Sequence, residues 1–252
     1  MLEAIELRNS LILPDWPAPS RVRAVSTPRL GGVSLLPYDS LNLGDHVGDM
    51  PERVAANRRR LRQVLELPAE PFWLNQGHGN HVAAAAAGVA PVEADAAYTR
   101  QCGPVCVVMT ADCLPILLCD RAGSCVAVAH GGWRGLAGGV IEATARRMDC
   151  APDDLLAWLG PAIGSTAFEV GPEVRQTFLE IDTDNADCFQ PSSTDDCWLA
   201  DIYDLARRQL RAIGIDAIYG GGWCTFSERE RFFSYRRDGR TGRMASLIWL
   251  AD

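Results

Sequence analysis

Lysine is missing altogether: all 24 basic residues of this 252-residue chain are arginine. That absence removes Schiff-base chemistry, the phosphate-binding lysine of a Walker A loop, and Ser–Lys dyads. Anionic groups on a ligand must then be met by guanidinium, which suits bidentate contact with phosphate or carboxylate. Positive charge is also outnumbered. The formal net charge of −8 leaves no basic excess for a nucleic-acid duplex or an anionic membrane. Apolar runs are short, and none reaches the roughly 18 residues of a membrane helix. The opening "MLEAIELRNSLILPDWPAP" has neither a basic n-region nor a long apolar run, so no signal peptide is expected. Together these shortages point to a cytoplasmic protein that acts on small molecules. Cysteine is not scarce, at nine residues, but the count is odd and no CxxC pair occurs. In a reducing compartment most of these are small buried hydrophobes.

The length suits one domain spanning 1–252 with an ample core, so neither a disulfide nor a metal is needed merely to fold. Helices are expected over about 51–66, after the glycines of "GGVIEATARRMDC" to about Met148, from Pro172, and in "LADIYDLARRQLRAIGI" up to Gly214. Strands are expected at "VRAVST", "PVCVVMT", "PILLCD", "SCVAVAH", "LLAWLG", "AIYGG", "RFFSYR" and "MASLIWL". The elements are interspersed without strict βαβ alternation, so the fold class is a mixed-sheet α/β domain. The acidic stretch "DTDNADCFQPSSTDDC" reads as a solvated loop.

Four histidines are present: His46, His78, His81 and His130. His46, among turn residues, and His81 read as surface or structural. His78 lies between Gly77 and Gly79, where the backbone can approach another group closely. His130 ends the apolar run "CVAVAH" and opens a glycine loop, a place suited to lining a site. Cys113 interrupts the strand-like "CVVMTADCLPILLCD". Pro115 keeps Leu114 extended, so a bend over 111–114 is expected and aims the thiol out of the sheet. Burying Asp112 and Cys113 there is costly without a purpose. His78, Cys113 and His130 form a candidate metal set, and three protein ligands with a free fourth position describe catalytic rather than structural zinc.

At "NQGHGNHV", "MTADCLPILL", "HGGWRGLAGGV", "LGPAIGSTAFEVGPEV" and "FFSYRRDGRTGRMASLIWL" the chain closely resembles the YfiH-like family. That family carries three descriptions: laccase-domain polyphenol oxidase, purine nucleoside phosphorylase and peptidoglycan editing factor. The resemblance covers nine-tenths of the chain and implies one α/β domain with two packed sheets covered by helices, in α/β/β/α layers. It implies His78, Cys113 and His130 as metal ligands and catalytic centre, with Asp112 orienting the surroundings of the thiol. The chain also resembles the catalytic domain of cytotoxic necrotizing factors, which are cysteine deamidases.

Three chemistries follow. A multicopper oxidase needs a blue copper site and a trinuclear cluster rich in imidazole, which four histidines cannot supply; copper here is adventitious. Zinc lowers the pKa of a water in its open position, which suits deamination at C6 of adenine. Phosphorolysis of adenosine, inosine or methylthioadenosine needs phosphate beside the ribose as well. Arg29 and Arg236 are the candidates to hold it, with Asn42 and Gln76 as neutral contacts to ribose or base. The rival reading makes Cys113 a nucleophile and His130 its base in an amidase that edits cytoplasmic peptidoglycan precursors. A non-enzymatic metal protein ranks last. A monomer is expected.

Overall fold

The computed structural model describes residues 7–88 and 91–252. The opening "MLEAIE", part of the stretch read against a signal peptide, lies outside them. Strands Val22–Ser26, Met244–Leu250 and Val105–Thr110 lie side by side in an antiparallel three-stranded sheet. A second sheet has six strands in the order Ala217–Gly220, Leu155–Leu159, Leu114–Asp120, Val126–Gly131, Ala96–Thr99 and Val82–Ala84. Its two outermost pairings are parallel and the inner ones antiparallel.

The central strands are buried at every position because both faces of each sheet are covered, which is why they read as continuous apolar runs. Cys106, Val108 and Ile248 meet Leu117, Val128 and Trp158 between the two sheets. On the far side of the larger sheet, Ile116, Leu118 and Ala129 pack with Val140 and Ile141 of helix Val140–Met148 and with Leu205 and Leu210 of helix Ile202–Ala212. On the far side of the smaller sheet, Val107 and Leu247 pack with Leu61 and Val64 of helix Pro51–Leu65. The layers are helix, sheet, sheet, helix, as the resemblance implies.

Three segments differ from the expectation. "RFFSYR" is not a strand but a turn leading into the short helix Tyr235–Asp238. The Arg237 guanidinium donates to the carbonyls of Thr225, Phe226 and Phe232 at 2.7–2.9 Å and curls the chain. Phe232 and Phe233 are fully buried, so their apolar character reports burial and not a strand. The glycine loop after His130 contains a short helix, Trp133–Ala137. The acidic stretch holds a 3₁₀ segment, Thr183–Cys188, and a strand, Phe189–Pro191, paired with Trp198–Ala200.

Candidate metal centre and its pocket

Cys113 sits where strand Val105–Thr110 gives way to Leu114–Asp120, on a bend whose middle residue, Asp112, has φ 93°. A non-glycine residue pays for that conformation only when its surroundings hold it. Asp112 is held three ways. Its Oδ1 accepts from the Thr225 hydroxyl at 2.6 Å, its Oδ2 from the Arg236 backbone N–H at 2.7 Å, and its carbonyl from Ile163 N–H at 2.9 Å. The carboxylate thus fixes the backbone that carries the thiol.

His78 also lies in the left-handed region, with φ 61°. Its loop is gathered by Asp95, on the turn into strand Ala96–Thr99. Asp95 Oδ1 accepts from His78 N–H at 2.9 Å, and Oδ2 accepts from Gly79 N–H at 2.6 Å and Gly77 N–H at 3.2 Å. Oδ1 also lies 2.8 Å from His130 Nδ1, with both side chains almost wholly buried. A carboxylate on Nδ1 fixes the imidazole tautomer and leaves Nε2 for an ion. Gly132 keeps the centre open, and Gly131 lets the two strands behind it approach. A Cβ on Gly132 would lie 2.7 Å from His78 Cδ2 and 3.2 Å from Cys113 Sγ, and one on Gly131 would lie 2.8 Å from the Leu114 carbonyl.

The side chains of His78, Cys113 and His130 present one ligand atom each, all within 4.8 Å of one another. Cys113 Sγ is 3.8 Å from His78 Nε2. Tetrahedral zinc bonded to sulfur and nitrogen needs ligand atoms about 3.3–3.6 Å apart, so small inward rotations would close the set on one ion. The donor set, the fixed tautomer and the open fourth side all fit a catalytic metal. Burial alone would push the Cys113 thiol up, but the His130 imidazolium and both imidazole hydrogen bonds draw it down to about 6. Burial likewise opposes the charged form of His130, and the Cys113 thiolate and Asp95 raise it to about 9. Between those values the metal-free centre is a thiolate–imidazolium pair. Alkylation of Cys113 in metal-free protein is therefore expected to rise with pH through a midpoint near 6 and then level off. A midpoint near the ordinary thiol value of about 8.5, read by mass spectrometry across a pH series, would contradict the pair.

The centre opens into a pocket of about 420 Å³ lined by Gln76, Met109, Thr110, Ala111, Tyr235, Arg243 and His46 in addition to the triangle. The four residues expected to bind substrate are dispersed around it. Gln76 is in the wall, with its amide paired to the Met109 backbone at 2.7 and 2.9 Å. Asn42 is fully buried behind the wall; its Oδ1 accepts from the backbone N–H groups of Gly44 and Arg243. Arg29 lines a different depression, where it pairs with Asp39 at 3.1 Å. Arg236 reaches the Glu169 carbonyl at 2.6 Å and does not line the pocket.

Sequence reasoning passed over Asp95, Arg243 and the pocket position of His46, and left Tyr235 between pocket wall and strand core; it lies in the wall. Asp95 had a readable signal, a carboxylate set among the small apolar residues of "ADAAY". Arg243 had none that set it apart from the other arginines.

A family model described as multi-copper polyphenol oxidoreductase laccase matches residues 23–251. A purine nucleoside phosphorylase of Pseudomonas aeruginosa is 54% identical over 97% of this chain and 100% of its own length. The purine nucleoside phosphorylase YfiH of Escherichia coli is 54% identical over 96% and 99% respectively. The chain belongs to the YfiH family. Among solved structures, a Neisseria meningitidis protein of family DUF152 matches this YfiH-family chain with a TM-score of 0.92 and 49% identity, over 96% of this chain and 100% of that one. The multi-copper description meets an obstacle in the site. Among the described residues of this YfiH-family chain, His78, Cys113 and His130 are the one group of three or more such side chains placed to share an ion, which is fewer imidazoles than a multicopper centre uses. No helix among the described residues is long and apolar enough to cross a membrane.

Proposed function

We propose that this chain is a metal-dependent purine nucleoside phosphorylase that also deaminates adenosine, with zinc held by His78, Cys113 and His130. The observation that carries this reading is the pocket itself. The triangle forms one wall, Arg243 and His46 line it as well, and its volume of about 420 Å³ lies in the range of small-molecule sites. The names of the close relatives point the same way. Bound zinc would supply Lewis-acid polarisation at the pocket wall. In phosphorolysis a phosphate oxygen bonds to ribose C1′ as the N9–C1′ bond breaks. The bonding pair leaves with the purine, which takes up a proton. Tyr235, more than half exposed and at the pocket, offers an aromatic face for the base. The same reading makes the chain a cytoplasmic, single-domain monomer acting on small molecules, with copper at the centre adventitious.

The test is to incubate zinc-loaded protein with adenosine, inosine or methylthioadenosine and phosphate. Free base is expected with ribose-1-phosphate from adenosine or inosine and with 5-methylthioribose-1-phosphate from methylthioadenosine, together with inosine from adenosine when phosphate is omitted. No turnover of any of these nucleosides would reject the reading.

One observation favours the amidase reading. Asp95 orients the His130 imidazole at 2.8 Å, and the ring's other side lies within 4.8 Å of the Cys113 thiol, an arrangement that resembles a cysteine nucleophile with base and orienting group. Amide hydrolysis of a peptidoglycan precursor that survives a chelator and is stopped by thiol alkylation would establish that reading instead. A thiolate ligated to zinc is not free to attack, so metal dependence separates the two.

A further inference from the structure

Arg243 is the strong cation of the pocket, its guanidinium 5.9 Å from the centre of the Tyr235 ring. Its Nη1 donates only to the carbonyls of Thr241 and Gly242, at 3.2 and 3.1 Å, and among the described residues no carboxylate forms an ion pair with it. The neighbouring arginines differ. Arg58 pairs with Asp45 at 3.3 Å and stacks on Trp73, and Arg29 pairs with Asp39. Arg243 is held in place with care. Asn42 accepts its backbone N–H at 2.9 Å, and Gly44 makes room for its stem, since a Cβ there would lie 2.8 Å from Arg243 Cγ. Burial is the main influence on the guanidinium and loosens its proton, with the Cys113 thiol and Asp112 as the first opposing charges. A fixed cation partly withdrawn from water without a counter-ion is costly, unless a ligand brings the anion.

We propose that Arg243, with His46 beside it, forms an oxyanion subsite that seats inorganic phosphate in the same pocket as His78, Cys113 and His130. The fork of the guanidinium matches two phosphate oxygens, and its Nε and Nη2 donate to no protein atom among the described residues. His46 is about half exposed, with Nδ1 3.6 Å from Asp45. The charged groups that bear on it are Asp45, Arg243 and Arg58; burial and then Arg243 hold its pKa down. An anion on Arg243 cancels that field and favours a proton on His46, which then becomes a second donor to the same anion. The naming of phosphate rests on the phosphorylase reading; the existence of the subsite does not.

The experiment is calorimetric titration of metal-free protein with inorganic phosphate, with acetate in a parallel arm, on the wild type and on Arg243→Gln and Arg243→Lys. Metal-free protein keeps the ion from contributing. Wild type is expected to bind phosphate well ahead of acetate. Arg243→Gln is expected to weaken phosphate about tenfold or more, the usual size for a charge-assisted pair. Arg243→Lys keeps a charge without the fork and should fall between, which separates lost recognition from lost folding. In turnover, the phosphate KM should rise by the same factor while the nucleoside KM stays within about twofold. Equal phosphate affinity in wild type and Arg243→Gln overturns the subsite. Acetate binding as well as phosphate overturns the choice of phosphate. Phosphate binding that needs Arg243, in a protein that turns over no nucleoside, upholds the subsite and rejects the phosphorylase reading. Phosphorolysis with an unchanged phosphate KM in Arg243→Gln does the reverse.

Discussion

Protein purified without added metal is expected to carry about one equivalent of zinc, and Cys113→Ala to carry less than about a tenth of that. The substitution leaves two imidazoles and no anionic ligand. Two neutral donors neither match the charge of a dication nor define a tetrahedron. Phosphorolysis should fall with the metal, by roughly a thousandfold, because the ion's stabilisation of charge at the pocket wall goes with it. Cys113→Ser should behave almost as badly, since a serine hydroxyl does not ionise at neutral pH to replace the thiolate. Elemental analysis and turnover measured on the same preparations check both. The fold should survive, because Cys113 lies outside the three apolar clusters. A Cys113→Ala protein that keeps a full equivalent of zinc would remove the centre from the mechanism.

Asp95→Ala is expected to damage stability and metal binding together. The carboxylate accepts from three backbone N–H groups and from His130. Its loss leaves the 77–79 loop without its organiser and a buried imidazole without its partner. Removing one member of such a buried network costs about 3–5 kcal/mol. For a domain of this length that lowers the melting temperature by about 10 °C. Zinc affinity should drop by about ten- to a hundredfold, the size seen when a group supporting a metal-bound histidine is removed. Asp95→Asn is the informative comparison. It keeps the volume and one acceptor oxygen, but turns an NH₂ group toward N–H groups that need an acceptor, so it should recover only part of either loss. Melting curves and competition with a coloured chelator measure the two effects separately. Wild-type zinc affinity in Asp95→Ala would show that the imidazoles hold their positions without it.

Much of the fold could be read from the sequence because burial leaves a direct mark on it. Short continuous apolar runs such as "VCVVMT" and "LPILLCD", bounded by turn residues and, in the first, rich in β-branched side chains, read as strands covered on both faces, and "DIYDLARRQL" carries a helical face. "RFFSYR" misled because two buried phenylalanines look the same in a strand and in a turn; the guanidinium that curls this turn bonds to carbonyls, which no side-chain pattern reveals. At the site, Cys113 was legible because a polar pair inside an apolar run is expensive. Asp95, a carboxylate among small apolar residues, is open to the same rule but was passed over. Arg243 was not legible: what sets it apart is the lack, among the described residues, of a carboxylate paired with it, a property of three-dimensional placement. The substrate-side expectations leaned on motif arginines, and the structure puts Arg29 and Arg236 at hydrogen bonds away from the pocket wall.

Asp95 makes four contacts, and a carboxylate has about four lone-pair positions to give. Its acceptor capacity is therefore saturated, and it has none left to take up a proton during turnover. His130 in turn has its Nδ1 committed to Asp95, so an ion on Nε2 leaves that ring with no free nitrogen. With a metal held there, proton traffic with a substrate would run through other groups of the pocket. His46, at that wall and about half exposed, is one such group, which gives a histidine that reads as structural in the sequence a place where protons can be exchanged with whatever binds.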